Sequence, residues 1–245
     1  MRYMNMKNGT KIGCGIMLAF MLICVVPTNT IATLSGSETH TFLSLSNVVA
    51  EATLYYSGSG GSGFDPTSEY LRVTIDSLGD GDGMVTASEV ENFEEYMEEM
   101  SAMEDCEYYM DGIRGEYTSI NISIKDATGS TSNASTITME ARTEITFGSV
   151  DANLESHVFK EVGTENVYIY NETITLPEGY TIDTVTGIDD KQISSDGRTV
   201  TGKTIANTDI EIKFIRSNGS PGFELILVVC AITLFLFWGS RFKRI

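Results

Sequence analysis

Apolar and polar residues follow three patterns along this chain, and each pattern predicts a different structure. Uninterrupted apolar runs lie near the two ends, over residues 12–26 and 225–238. Between Ser88 and Met103, apolar residues recur at spacings of three and four, which is the repeat of one face of an α-helix. From about Gly112 onwards, apolar and polar residues alternate in short runs, which is typical of β-strands with one buried face.

The helical pattern predicts a pair of helices. The apolar stripe of the second helix consists of Val90, Phe93, Met97, Met100 and Met103. Asp65 followed by Pro66 is typical of a helix start. A first helix over residues 68–75 and a second over 86–103 would then flank an acidic loop. The β-branched residues at 73–75 leave a strand as the competing interpretation of the first segment.

The alternating pattern predicts about seven short strands separated by turn residues, and this favours an antiparallel β-sandwich. The clearest runs cover residues 120–124, 136–147, 167–174, 180–182 and 210–214. We therefore predict an α+β fold, in which a helix–loop–helix segment is followed by an antiparallel β-sandwich. A signal segment and a transmembrane helix are expected to flank it.

The predicted organisation has five parts. They are a signal peptide over 1–32, a strand and a Gly/Ser-rich linker over 33–64, a helix–loop–helix segment over 65–111, a β-sandwich domain over 112–217, and a sorting signal or transmembrane helix with a basic tail over 218–245.

The N-terminal segment has the organisation of a secretory signal peptide. Arg2, Lys7 and Lys11 precede the apolar run, and small or polar residues around Ala32 follow it, as such signals require. An uncleaved anchor is the alternative. Fifteen apolar residues make a helix of about 22 Å, shorter than a hydrocarbon core of about 30 Å.

The C-terminal segment combines Pro221-Gly222-Phe223, an apolar run and a basic end formed by Arg241, Lys243 and Arg244. This arrangement resembles the archaeal PGF-CTERM sorting signal. The resemblance implies that an archaeosortase-like enzyme removes the tail and that the new C-terminus is joined to a membrane lipid. An ordinary single-span anchor is the alternative. Either interpretation places the middle of the chain at the cell surface, anchored by its C-terminus.

The charge of the chain narrows the classes of partner. It carries 34 acidic and 16 basic residues, a net charge of −18; one acidic and six basic residues lie in the end segments, which leaves 33 acidic and 10 basic residues between them. Such a surface excludes nucleic acid, whose phosphates need basic groups. An excess of acidic residues keeps a surface protein soluble and favours the binding of cations.

No catalytic set is visible in the sequence. His40 and His157 are the only histidines and are isolated from each other, and nucleophile, zinc-helix and phosphate-loop motifs are absent. Cys106 is the only cysteine outside the end segments, so no intramolecular disulfide is available there. Sequons at Asn121, Asn133, Asn171 and Asn218 are compatible with a surface glycoprotein.

Residues 76–89 carry alternating acidic residues, glycines and a final glutamate. Ca²⁺ prefers six to eight oxygen ligands, including a bidentate carboxylate. If Glu89 is counted as the twelfth position of a calcium loop, Gly83 takes the sixth, where a sharp turn is needed. The segment resembles a single EF-hand loop. The ligands that this resemblance implies are Asp76, Asp80, Asp82, the Met84 carbonyl, Thr86 and Glu89.

The loop departs from the pattern at its first position, where Leu78 cannot coordinate an ion. Asp76 lies two residues earlier, as though two residues had been inserted, and we expect it to serve as first ligand. Val85 is the apolar eighth residue, which normally ties such a loop to a neighbouring one, although this motif is solitary. The sequence predicts Ca²⁺ as the cofactor, and a simple acidic turn is the alternative.

Together these patterns predict an exported, acidic, non-enzymatic protein of the cell surface. Its β domain is expected to contact surface proteins or glycans. The alternative is an accessory subunit of a surface enzyme or transporter, in which the β domain binds a small ligand. A pocket with converging polar groups would favour the alternative, and a closed apolar core would oppose it.

Overall fold

The computed structural model of the chain describes residues 33–62, 65–103, 106–162, 171–205 and 208–217. The predicted signal peptide and the predicted C-terminal sorting segment lie outside these residues. No helix within the described ranges is both long and apolar enough to cross a membrane.

The described residues form two helices and fifteen strands. The helices are α1 (Ser68–Leu78) and α2 (Ala87–Ala102). The strands are β1 (Thr33–Ser44), β2 (Asn47–Ser57), β3 (Gly61–Ser62), β4 (Asp65–Pro66), β5 (Met84–Val85), β6 (Tyr108–Met110), β7 (Ile113–Lys125), β8 (Gly129–Ser130), β9 (Ile137–Phe147), β10 (Ser156–Glu161), β11 (Asn171–Thr175), β12 (Tyr180–Thr186), β13 (Ile188–Ile193), β14 (Thr199–Thr204) and β15 (Ile210–Arg216).

Eleven of these strands form one sheet in the order β12-β15-β10-β6-β7-β9-β2-β1-β11-β14-β13. The strands β1 and β2, which precede the helices in the chain, lie near the middle of this sheet. The pairing of β1 with β11 is parallel. The predicted helix–loop–helix segment followed by an antiparallel β-sandwich is therefore wrong. Alternation shows where strands are and which face is apolar, but it carries no information about which distant strand each one pairs with.

The sheet is curled so that it nearly closes, and its two edge strands are consecutive in the chain. The edge strands β12 and β13 are separated only by Gly187, which has a φ of +80°. A Cβ atom at this position would lie 2.2 Å from the Asp209 carbonyl oxygen, so the junction requires glycine. The nearly closed sheet encloses an apolar core, in which the Phe42 ring of β1 lies 5.0 Å from that of Phe159 in β10 and 6.1 Å from that of Phe214 in β15.

The helix pair covers the other end of the long strands. Leu54 and Tyr56 of β2 and Met139 of β9 pack with the buried residues of α1 and α2 in a second apolar cluster. The pair Ala52 and Ala141 lies between the two clusters on the same strands. The same face of β2 and β9 therefore contributes side chains to both apolar clusters. One end of this face lies in the enclosed core, and the other end packs against α1 and α2.

Capping residues set the helix starts. The Thr67 side chain accepts a hydrogen bond from the Tyr70 N–H and caps α1, while Thr86 and Glu89 form a reciprocal capping box at the start of α2. In α2, Val90, Phe93 and Met97 of the predicted stripe are buried. Met100 and Met103 are 36% and 77% exposed, so the apolar face is covered only over its first turns.

Polar contacts attach the helix pair to the sheet. The Ile122 N–H of β7 donates to Glu98 Oε1 at 2.7 Å, and the Ile124 N–H donates to Glu94. The fully buried Arg72 of α1 donates to the carbonyl oxygens of Ala127 (3.0 Å), Asn133 (2.7 Å) and Ser135 (2.9 Å). These three carbonyls belong to the connection between β7 and β9, which Arg72 therefore ties to α1.

Candidate metal sites

The loop between α1 and α2 brings three carboxylates together. Asp76, Asp80 and Glu89 each offer an oxygen, and these oxygens lie within 4.8 Å of one another. Asp76 belongs to the last turn of α1 and Glu89 to the first turn of α2, so the two helix ends converge on Asp80. A group of this kind supplies the hard, negatively charged oxygen ligands that Ca²⁺ prefers.

Backbone N–H groups hold the aspartates of this loop. The Gly83 N–H lies 3.2 Å from Asp76 Oδ1 and 3.3 Å from Asp76 Oδ2. The Asp82 N–H donates to Asp80 Oδ1 at 3.1 Å, and the Met84 N–H donates to Asp82 Oδ1 at 2.8 Å. The positive φ of Gly83, +89°, makes the turn that these bonds require. The loop is therefore ordered by its own backbone.

Glu89 closes the loop from the other side. Its Oε2 accepts hydrogen bonds from the Thr86 N–H (2.8 Å) and the Thr86 hydroxyl (2.9 Å), and its Oε1 accepts one from the Asp80 N–H (3.1 Å). These bonds, led by that from the Thr86 backbone, lower the pKa of Glu89. The side chain lies against Gly79, where a Cβ atom would approach Glu89 Oε1 to 2.0 Å.

The predicted ligands thus divide into two groups. Asp76, Asp80 and Glu89 form the cluster, and Leu78, at the nominal first position, is half exposed at the end of α1. Asp82, Met84 and Thr86 lie on the same loop but outside the grouped carboxylates. Asp82 and Thr86 are engaged in the backbone and capping bonds described above, and Met84 is paired with Ser130.

The loop is solitary in the sequence, yet in the structure it has a partner. Residues Met84 and Val85 form β5, which pairs with β8 in the connection between β7 and β9. The Thr131 N–H extends this contact by donating to the Gly83 carbonyl at 3.1 Å. Val85 is buried beneath it. The α1–α2 loop is therefore paired with the same connection that Arg72 holds.

A second group of ionisable side chains lies inside the sheet. Glu38 and His40 project from β1, Glu161 from β10 and Glu172 from β11. His40 is fully buried, and its Nδ1 lies 2.9 Å from Glu172 Oε1. Its Nε2 lies 3.4 Å from Glu38 Oε1 and 3.8 Å from Glu161 Oε2 and makes no hydrogen bond within the described part of the chain. We call these four residues the core cluster.

Burial dominates the electrostatics of the core cluster. It raises the pKa of Glu38 to about 7, although the adjacent His40 acts in the opposite direction. Burial also raises the pKa values of Glu161 and Glu172 well above the usual range. The Tyr108 hydroxyl donates to Glu38 Oε1 at 3.3 Å. Among the described residues, His40 is the only basic group in ion-pair contact with these three glutamates.

The other histidine provides a comparison. His157 is also fully buried, its Nδ1 lies 2.7 Å from Asp111 Oδ2, and its Nε2 likewise lacks a hydrogen bond among the described residues. The rings of Tyr180 and Phe214 pack against it. The structure pairs His157 with one carboxylate, whereas three carboxylates surround His40.

Sequence reasoning treated His40 as isolated and did not find the core cluster. A signal was present, since Glu38 and His40 occupy the same strand face as the buried Phe42. The members could not be connected, because His40 and Glu172 are 132 residues apart and meet only through the parallel pairing of β1 with β11.

Comparison with protein-family models and with curated proteins finds no match to this chain.

Proposed function

We propose that this chain is an exported, non-enzymatic, acidic protein of the cell surface, anchored at its C-terminus, in which Ca²⁺ stabilises the helix pair. The grouping of the Asp76, Asp80 and Glu89 oxygens within 4.8 Å carries the calcium part of the proposal. The apolar and basic end segments and the acidic composition support export and anchoring, and the resemblance to the PGF-CTERM signal supports processing by an archaeosortase-like enzyme.

A bound calcium ion would act as a clamp between elements that are already in place. Three carboxylates at this spacing repel one another, and Ca²⁺ removes that repulsion while joining the end of α1 to the start of α2. Because β5 continues the loop and pairs with β8, the ion would also strengthen the attachment of the helices to the sheet. Surface modules use sites with dissociation constants of about 10⁻⁴–10⁻³ M, which extracellular Ca²⁺ fills.

A second candidate function is an accessory ligand-binding subunit of a surface enzyme or transporter. The observation that favours it is the convergence of Glu38, His40, Glu161 and Glu172 inside the sheet. Converging polar groups within an apolar enclosure are typical of ligand sites.

Calorimetric titration of the full-length chain in detergent with Ca²⁺ tests the first function. We expect one saturable site, which Glu89→Gln abolishes because it removes a bidentate carboxylate. Glu91→Gln is the matched control, since Glu91 lies exposed on the same helix and should leave binding unchanged. Absence of binding at several millimolar Ca²⁺, or equal binding by Glu89→Gln, would reject the calcium site.

A further inference from the structure

We infer that Glu38, His40 and Glu161 form a binding site for a divalent first-row transition-metal ion such as Zn²⁺, and that Glu172 is the residue that positions the imidazole. This site lies inside the sheet and is independent of the calcium loop. The inference depends on four features of the core cluster: the free ring nitrogen, the spacing of the ligand atoms, the grouping of three carboxyl groups around one histidine, and the partial exposure of two of these carboxyl groups.

The first feature is the orientation of His40. The bond between Nδ1 and Glu172 Oε1, 2.9 Å long, fixes the ring and leaves Nε2 directed at Glu38 and Glu161. A fully buried Nε2 without a hydrogen bond is costly unless something else binds it. Metal-binding histidines show this same arrangement, in which one nitrogen contacts a carboxylate and the other binds the ion.

The second feature is the distance between the ligand atoms. His40 Nε2 lies 3.4 Å from Glu38 Oε1 and 3.8 Å from Glu161 Oε2. Bonds of about 2.0–2.2 Å to a tetrahedral Zn²⁺ place its ligands about 3.4 Å apart. All three ligand atoms lie within 4.8 Å of one another, so shifts on the order of 1 Å would bring them to one ion, and a water molecule would complete a four-coordinate site.

The third feature is charge. Three glutamates share an enclosed space in which His40 is their only basic contact among the described residues. A divalent cation would balance the charge that two of these glutamates carry when ionised, and it would bind oxygens that have no hydrogen bond among the described residues, such as Glu161 Oε2. A nitrogen ligand selects against Ca²⁺ and Mg²⁺, which prefer oxygen, and favours Zn²⁺ or its first-row neighbours.

The fourth feature is the position of the two carboxylate ligands. The side chains of Glu38 and Glu161 are 10% and 14% exposed, whereas those of His40 and Glu172 are fully buried. The two carboxylate ligands are therefore the most exposed members of the cluster, while the histidine and its positioning glutamate are enclosed.

The test is a Zn²⁺ titration of the metal-stripped full-length chain in detergent, with excess Ca²⁺ to occupy the α1–α2 loop. Because the chain has two histidines, ¹⁵N imidazole spectra can follow both. We expect one Zn²⁺ per chain and a large shift of the His40 Nε2 signal, with the His157 signals unchanged. This wild-type measurement does not depend on the folding of a variant.

Variants then assign the ligands. His40→Gln should abolish Zn²⁺ binding, and His157→Gln, an equally buried control, should retain it. Glu172→Gln should weaken binding about 10–100-fold, as loss of an outer partner does, and Glu161→Gln should weaken it more. If His40→Gln does not fold, Glu161→Gln and the wild-type spectra decide.

Three results would overturn the inference. They are an absence of Zn²⁺ binding at millimolar concentration, binding that leaves the His40 signals unchanged, and binding that His40→Gln retains. Loss of Ca²⁺ binding in Glu89→Gln would leave all three measurements unaffected, so the two metal sites are tested separately.

Discussion

The protein places two groups of carboxylates in opposite environments. In the α1–α2 loop, the oxygens of Asp76, Asp80 and Glu89 accept hydrogen bonds from backbone N–H groups, and Asp80 is exposed. In the core cluster, Glu38, Glu161 and Glu172 are enclosed with one histidine, and Glu161 and Glu172 each keep an oxygen without a hydrogen bond in the described part of the chain. Hydrogen bonds in the loop lower the pKa of Glu89, whereas burial raises the pKa values of the three core glutamates.

This contrast teaches that the number of acidic residues alone does not define a cation site. Solvated oxygens on a loop suit a hard ion bound weakly and reversibly. Enclosed oxygens beside an imidazole suit an ion that binds nitrogen and stays. Three measurements test this difference between the loop and the core cluster. The first is the one for which we expect the largest effect.

Replacement of Arg72 by methionine should destabilise the loop side of the molecule. The variant leaves the carbonyls of Ala127, Asn133 and Ser135 without their buried donor, and we expect a loss of about 3 kcal/mol or more in the free energy of unfolding. Urea denaturation of the full-length chain measures it. The control is Arg142→Met, because Arg142 pairs with Glu51 on the exposed face and should cost less than about 1 kcal/mol. Equal losses in the two variants would contradict the anchoring role.

The contributions of Glu38 and Glu89 to the free energy of unfolding should change with pH in opposite directions. Glu38 has a pKa of about 7 in the folded chain against a usual value of 4.5, so the folded state binds its proton more tightly than the unfolded state does. Its contribution is complete below about pH 4.5 and is lost as pH rises to about 7, which amounts to about 3 kcal/mol. Glu161 and Glu172, whose pKa values are raised in the same direction, extend the loss to higher pH.

Glu89 has a lowered pKa, so its contribution is present above its usual value and is lost as pH falls through the folded value. The measurement is urea denaturation between roughly pH 3 and 8, from below the usual pKa of a glutamate to above that of Glu38, with a chelator present. The Glu38→Gln variant should lose less stability than the wild type as the pH rises from about 4.5 to about 7. A wild-type free energy of unfolding that does not fall between pH 4.5 and 7 would refute the assignment for the core cluster. Among the described residues, the other titratable groups that face Glu38 are His40, Tyr108, Glu161 and Glu172, and all four remain in the Glu38→Gln variant.

Replacement of Gly79 by alanine should act on the loop alone and have the smallest effect. The new Cβ atom would collide with the Glu89 side chain, whose Oε1 would lie 2.0 Å away. The carboxylate must then move away from the Asp80 N–H. We expect Ca²⁺ affinity to fall about tenfold, or about 1.4 kcal/mol. Gly148→Ala, where the nearest atom lies at an ordinary 3.7 Å, is the control. Weaker Zn²⁺ binding in Gly79→Ala would show that the two sites are coupled.

The sequence was most informative where structure depends on neighbours along the chain. The spacing of Val90, Phe93 and Met97 identified the buried face of α2, and the Thr86–Glu89 spacing matches the capping box. The same spacing did not show that Met103 lies beyond the covered part of the helix. In the loop, the structure brings Asp76, and not Leu78, to Asp80 and Glu89; the role of Asp76 as first calcium ligand stays a prediction.

Long-range pairing could not be predicted. The alternation in β1 is as compatible with an edge strand as with the central position that the strand holds between β2 and β11. The sandwich expectation failed for this reason, and the core cluster was missed with it. Glu172 reaches His40 only through the pairing of β1 with β11, and Glu161 reaches it only when the sheet closes.

The central position of β1 also sets an order of events during synthesis. Its second neighbour, β11, begins at Asn171, so at 5–20 residues per second the β1–β2 hairpin keeps one open edge for on the order of ten seconds. An open apolar edge would invite aggregation during that time. The strand that waits is instead rich in Ser and Thr and carries Glu38 and His40. The polar residues that meet inside the closed sheet therefore give its unpaired edge a composition that opposes edge-to-edge aggregation during this interval.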